Sequence, residues 1–173
     1  MPELTSQERL QPALLDRLTD DEPERRQEPP EARVINAGRL RAGVLRDFGW
    51  LLNAVRPRDR EIPPGHRYAA ESVLCFGLPP MTGETSSTID AVALQQAIRE
   101  AILRFEPRVL PETLEVEVVG SLATRLESHN VIGVEIRGRL WAQPVPLEFL
   151  LRTEIDLEQG TCQVRDTERT LRT

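Results

Sequence analysis

One short run combines residue types that do chemistry with an unusual setting. Glu106, Pro107 and Arg108 follow Phe105, at the point where a helical apolar pattern stops and an alternating one begins. Three roles fit a glutamate and an arginine around a proline. The first is catalysis. A glycosidase needs two carboxyl groups, one of which keeps its proton in an apolar pocket. An arginine two residues away favours the ionised form, which is wrong for a general acid and suits only a nucleophile. No partner acid stands out among the 28 acidic residues. The second role is an ion pair closing a helix end. The third is a docking point, because an arginine beside a proline-stiffened turn is pre-organised and costs little entropy to fix on a partner.

Other chemistry is sparse. There is no glycine-rich phosphate loop and no nucleophile elbow. His66 and His129 lie far apart without ligand spacing and read as surface loop residues, so no metal site is expected. The serines and threonines of 82–88 read as a loop and helix cap rather than as nucleophiles. No cofactor is implied. Cys75 and Cys162 are the only cysteines, too few for a disulfide scaffold, which points to a reducing compartment. The net charge of −6 argues against nucleic acid. All 22 basic residues are arginine, so every cation can form a two-pronged bond to a carboxylate. No apolar run approaches the roughly 20 residues that span a bilayer, and the N-terminus shows no leader pattern. The expectation is a soluble, cytoplasmic protein without membrane insertion.

The elements that must position the trio follow from periodicity. Leu10, Leu14, Leu15 and Leu18 have helical spacing, and the charged, proline-rich DEPERRQEPPEAR after them reads as a linker. Residues 1–37 are therefore expected as an arm with a short helix, and 38–173 as one domain. The helix expected over 38–55 carries Leu40, Val44, Leu45, Phe48, Leu51, Leu52 and Val55 on one stripe. Gly43 and Gly49 weaken it and would allow a neighbour to approach closely. SVLCFGLPP (72–80) suits a short strand or tight apolar turn. The next helix, IDAVALQQAIREAILRF, is expected to be capped by Ser86, Ser87 or Thr88, with Asp90 in its first turn. Pro107 ends it. After residue 113 the period becomes two, in LEVEVVG, VIGVEIRGRLWA and VPLEFLLRTEIDL, followed by a short TCQV strand. One wet and one packed face favour antiparallel pairing. The fold class is α+β, with N-terminal helices packed on an antiparallel sheet formed mainly by residues 114–165.

Four pieces in order, LLDRL (14–18), VLRDFGWLLN (44–53), SVLCFGLPP (72–80) and FEPRV (105–109), followed by strands, resemble the TssE family. These are type VI secretion baseplate subunits, grouped with phage-tail baseplate wedge proteins historically labelled lysozyme-like. The resemblance covers about residues 10 to 165. It implies a non-enzymatic part that docks on the baseplate wedge core and starts the contractile sheath. Implied partners are the wedge subunits TssF, TssG and TssK and the sheath subunits TssB and TssC. It also implies that Glu106, Pro107 and Arg108 bind the partner, and that an exposed sheet edge meets the sheath. The old label motivates the competing expectation, a peptidoglycan-cleaving enzyme using Glu106.

Overall fold

The computed structural model describes residues 13–19, 24, 36–57, 65–81, 89–119, 130–142 and 145–167. Among these residues four α-helices, α1 (Leu14–Leu18), α2 (Ala37–Asn53), α3 (Arg67–Ala70) and α4 (Ala91–Phe105), precede four strands, β1 (Glu115–Val118), β2 (Val131–Leu140), β3 (Leu147–Asp156) and β4 (Thr161–Asp166). The strands form one antiparallel meander in the order β1-β2-β3-β4. The α+β expectation is met.

Strand alternation sorts the side chains. Val134, Ile136, Leu151, Ile155 and Thr153 face the core and are almost wholly buried. Gly138 stands opposite Phe149, and a β-carbon there would lie 3.1 Å from that ring, so the glycine leaves room for the phenylalanine. Phe149 in turn meets Phe48 of α2, with ring centroids 5.8 Å apart. Leu40, Val44, Phe48, Leu51 and Leu52 of α2 and Leu94, Ile98, Ala101 and Ile102 of α4 complete the core. Each fully buried aliphatic or aromatic side chain contributes about 1.5–3 kcal/mol.

The helix ends have local causes. Asn36 caps α2, its side chain accepting from Arg39 N at 2.8 Å. The helix stops at Asn53, before the expected Val55, because Val55 turns out to pair with Leu78 in a parallel bridge. Asp90 is itself the cap of α4, accepting from Val92 N and Ala93 N at 2.9 and 3.2 Å, rather than a first-turn residue. The expected cap at Ser86, Ser87 or Thr88 lies outside the described residues, as do His129 and the 25–33 part of the expected linker. Residues 72–80 form one 3-10 turn, Val73–Cys75, and then the bridge at Leu78. Gly77 makes this possible. Its φ is +114°, and a β-carbon would come within 2.3 Å of Ala54 O. His66 is exposed at the start of α3, as expected.

Candidate functional site

The Glu106–Pro107–Arg108 corner begins where α4 ends. Glu106 N donates to Ile102 O at 2.8 Å, closing the last turn. Pro107 then stops the helix by geometry. The chain is stitched to the sheet directly afterwards: Trp141 N donates to Arg108 O at 2.7 Å, and Leu110 N to Arg139 O at 2.9 Å. The corner is thus held between a helix end and the end of β2.

The side chains answer which partner each takes. Glu106 is 4% exposed, one of two buried polar residues among those described. Its Oε1 accepts from Arg108 N at 3.2 Å and from Arg108 Nε at 2.6 Å, and its Oε2 accepts from Arg108 Nη2. Both oxygens are occupied. Arg108 Nη2 also donates to Asp47 of α2. Burial alone would lower the arginine's pKa, but the bonds and charge of Glu106 and then Asp47 more than reverse this and raise it. Pro107 is exposed.

The charges continue beyond the trio. Asp47 accepts from Arg46 Nε at 3.0 Å, and Arg46 Nη1 donates to Asp16 of α1. Arg46 stacks over Trp50 with 5.1 Å from its guanidinium carbon to the ring centroid. Its pKa is raised, chiefly by the bond to Asp16. Asp16, Arg46, Asp47, Arg108 and Glu106 therefore alternate in sign and tie α1, α2 and the corner together. A β-carbon at Gly43 would sit 3.4 Å from Asp16 Oδ2 and 3.8 Å from Arg108 Nη1. At Gly43 the neighbours stand at ordinary contact distance from such a β-carbon, so the expected close approach does not require the glycine. It is not met at Gly49, where nothing lies within 4 Å among the described residues.

Beside the corner lies a largely apolar groove of about 530 Å³. Leu15, Trp50, Phe76, Phe105, Pro107 and Arg108 are among the residues that line it. Phe76 and Phe105 meet edge to face at 5.2 Å, so the 72–80 segment supplies one wall. Trp50 is 52% exposed. Sequence reading singled out the trio but missed Asp16, Asp47 and Trp50. A signal was present: Gly43, Asp47 and Trp50 fall at helical spacing along one flank of the α2 core stripe, beside Leu40.

The two sheet edges differ. Thr167 N donates to Leu150 O at 3.1 Å, so Cys162, Val164 and Asp166 turn their backbone groups outward from β4. At Cys162 these are taken: Asn53 Nδ2 donates to Cys162 O at 2.8 Å, and Cys162 N donates to Asn53 Oδ1 at 2.9 Å. Arg41 holds the Asp166 carboxylate at 2.6 and 2.8 Å and donates to Glu148 O at 3.2 Å. Helix α2 thus takes the backbone groups of Cys162 and reaches the far end of β4 through the Asp166 side chain. On β1, Val119 N donates to Gly133 O at 2.9 Å, which turns Val116 and Val118 outward. Among the described residues nothing bonds those N–H and C=O groups.

Among the described residues no group of three or more histidine, cysteine, aspartate or glutamate side chains is placed to hold a metal, and no helix is long and apolar enough to cross a membrane. The sequence profile of the family described as baseplate wedge protein gp25 matches residues 38–145, more than half of the chain. No curated protein and no solved structure matches it.

Proposed function

From the premise that this chain belongs to the gp25 family of baseplate wedge proteins, and so is a structural component of a phage-tail-like baseplate, we propose that it is the TssE-type subunit of a type VI secretion baseplate. In this role it works in the cytoplasm and is not an enzyme. It docks on the wedge core through the corner and offers the sheath a strand edge.

The observation that carries the docking role is the arrangement around Pro107. An exposed proline stands on a backbone fixed by helix end and sheet, next to an open apolar groove with a half-exposed tryptophan. Rigid presentation of apolar area keeps the entropy cost of binding low. Within the trio the roles divide. Pro107 meets the partner. Glu106, buried with both oxygens bonded to Arg108, positions that arginine. Arg108 keeps Nη1 unbonded among the described residues and so available to an acceptor on the partner. The full occupation of Glu106 also favours a structural over a proton-donating role. The test is co-purification of the wedge subunits with Pro107→Glu, which places a charge on the exposed turn and keeps Glu106, Arg108 and Asp47 in the chain. The expected result is loss of most wedge retention with unchanged thermal unfolding; undiminished retention contradicts the docking role.

For the sheath, strand addition needs unpaired backbone groups. Those of Val116 and Val118 fit, whereas β4 is obstructed by Asn53 and Arg41. We therefore assign the sheath contact to β1. Val118→Pro removes an outward N–H that no described residue uses, a change edge strands tolerate. The variant is expected to fold and join baseplates but to leave them without sheaths. Sheaths at wild-type frequency would move the contact elsewhere.

A further inference from the structure

Helix α1 is five residues long, far below the roughly 12–15 at which isolated helices become stable. It buries little: Leu14 is 71%, Leu15 44% and Leu18 73% exposed. Among the described side chains, its tie to the domain is the bond from Arg46 Nη1 to Asp16. Yet it lies where the docking groove is, with Ala13, Leu15 and Asp16 forming one wall and Trp50, Phe105 and Pro107 standing among the others. The space between is not filled by α1, so the helix is a side of the groove rather than its plug.

We propose that α1 is the second jaw of the docking site, latched by Asp16 and Arg46, and that it closes on a partner helix whose apolar stripe is flanked by a basic residue. This rests on the docking role proposed for the corner. Three observations carry it. Leu14 and Leu18, four residues apart, make an outward apolar row suited to packing against another helix. A groove with apolar walls takes the partner's stripe. Among the described side chains the charged cluster behind it holds Asp16, Asp47 and Glu106 against Arg46 and Arg108, one negative charge in surplus, which complements a cation on the partner. A five-residue helix whose described side chains make one ion pair to the domain is cheap to reposition, so it adjusts to what enters.

The test uses the full chain and the other wedge subunits purified as a complex without sheath. Amide exchange is followed in α1, free and bound, and affinity is measured for Asp16→Ala and for the Leu14→Ser, Leu18→Ser double variant. Exchange across α1 is expected to slow at least about tenfold on binding. Each variant is expected to bind about 5–30-fold more weakly, the range of one to two interface anchors, with unchanged thermal unfolding. Unchanged α1 exchange overturns the proposal, as does wild-type affinity of both variants while Pro107→Glu is impaired. Tighter binding by Asp16→Ala also overturns it, by making α1 a plug. If Pro107→Glu itself binds like wild type, the docking role fails and the jaw with it.

Discussion

At the corner and on the wet face of the sheet, glutamate meets arginine under opposite conditions. At the corner, Glu106 is 4% exposed and its side chain is enclosed with Arg108, whose own exposure is 22%. On the wet face of the sheet, Arg152 reaches Glu135 at 2.9 Å, Arg137 reaches Glu117 at 3.0 Å and Arg165 reaches Glu154 at 3.3 Å, with the arginines 46–64% exposed. The register sharpens the contrast. Glu117 stands directly opposite Glu135, and Arg152 opposite Arg165, so each favourable pair on the face has a like-charge neighbour. The same residue types therefore do different work. The face solubilises a sheet, whereas the corner fixes a turn in one geometry.

The contrast breaks first on stability. Arg108→Ala leaves Glu106 buried without its cation and removes a tie to Asp47. Denaturant unfolding is expected to show a loss of about 3–5 kcal/mol, the cost of breaking a buried pair from one side. A loss below 1 kcal/mol would mean that the corner is no more than another surface pair. At the small end, Arg152→Ala is expected to cost about 0.2–1 kcal/mol, and that difference should fade in 1 M salt, where the screening length is about 3 Å. The Arg108→Ala loss should persist in salt, because the pair is shielded from solvent.

Most of the fold was legible because it is local in origin. Period-two alternation in 114–157 is a property of the strand itself, and Val134, Ile136, Leu151 and Ile155 went to the core as their spacing required. The core stripes of α2 and α4 were equally legible. What escaped was tertiary. Nothing near Asn53 in sequence announces that its amide pairs with the backbone of Cys162, 109 residues away. Asp90 was placed one turn too far in because an acid serves equally as cap or first-turn residue. At the site, the trio was visible from its proline, but the ionic chain through Asp47 and Arg46 to Asp16 depends on where α1 and α2 pack. The division of labour inside the trio depends on burial, which places Glu106 inside and Pro107 outside.

The most direct measurement is a titration of purified wedge subunits against three full-length chains: wild type, Pro107→Glu and Arg152→Ala. Docking through the corner predicts at least a tenfold weaker dissociation constant for Pro107→Glu, about 1.4 kcal/mol, and a value within about twofold of wild type for the face variant, as for a residue away from the contact. Equal affinity of Pro107→Glu and wild type would contradict it.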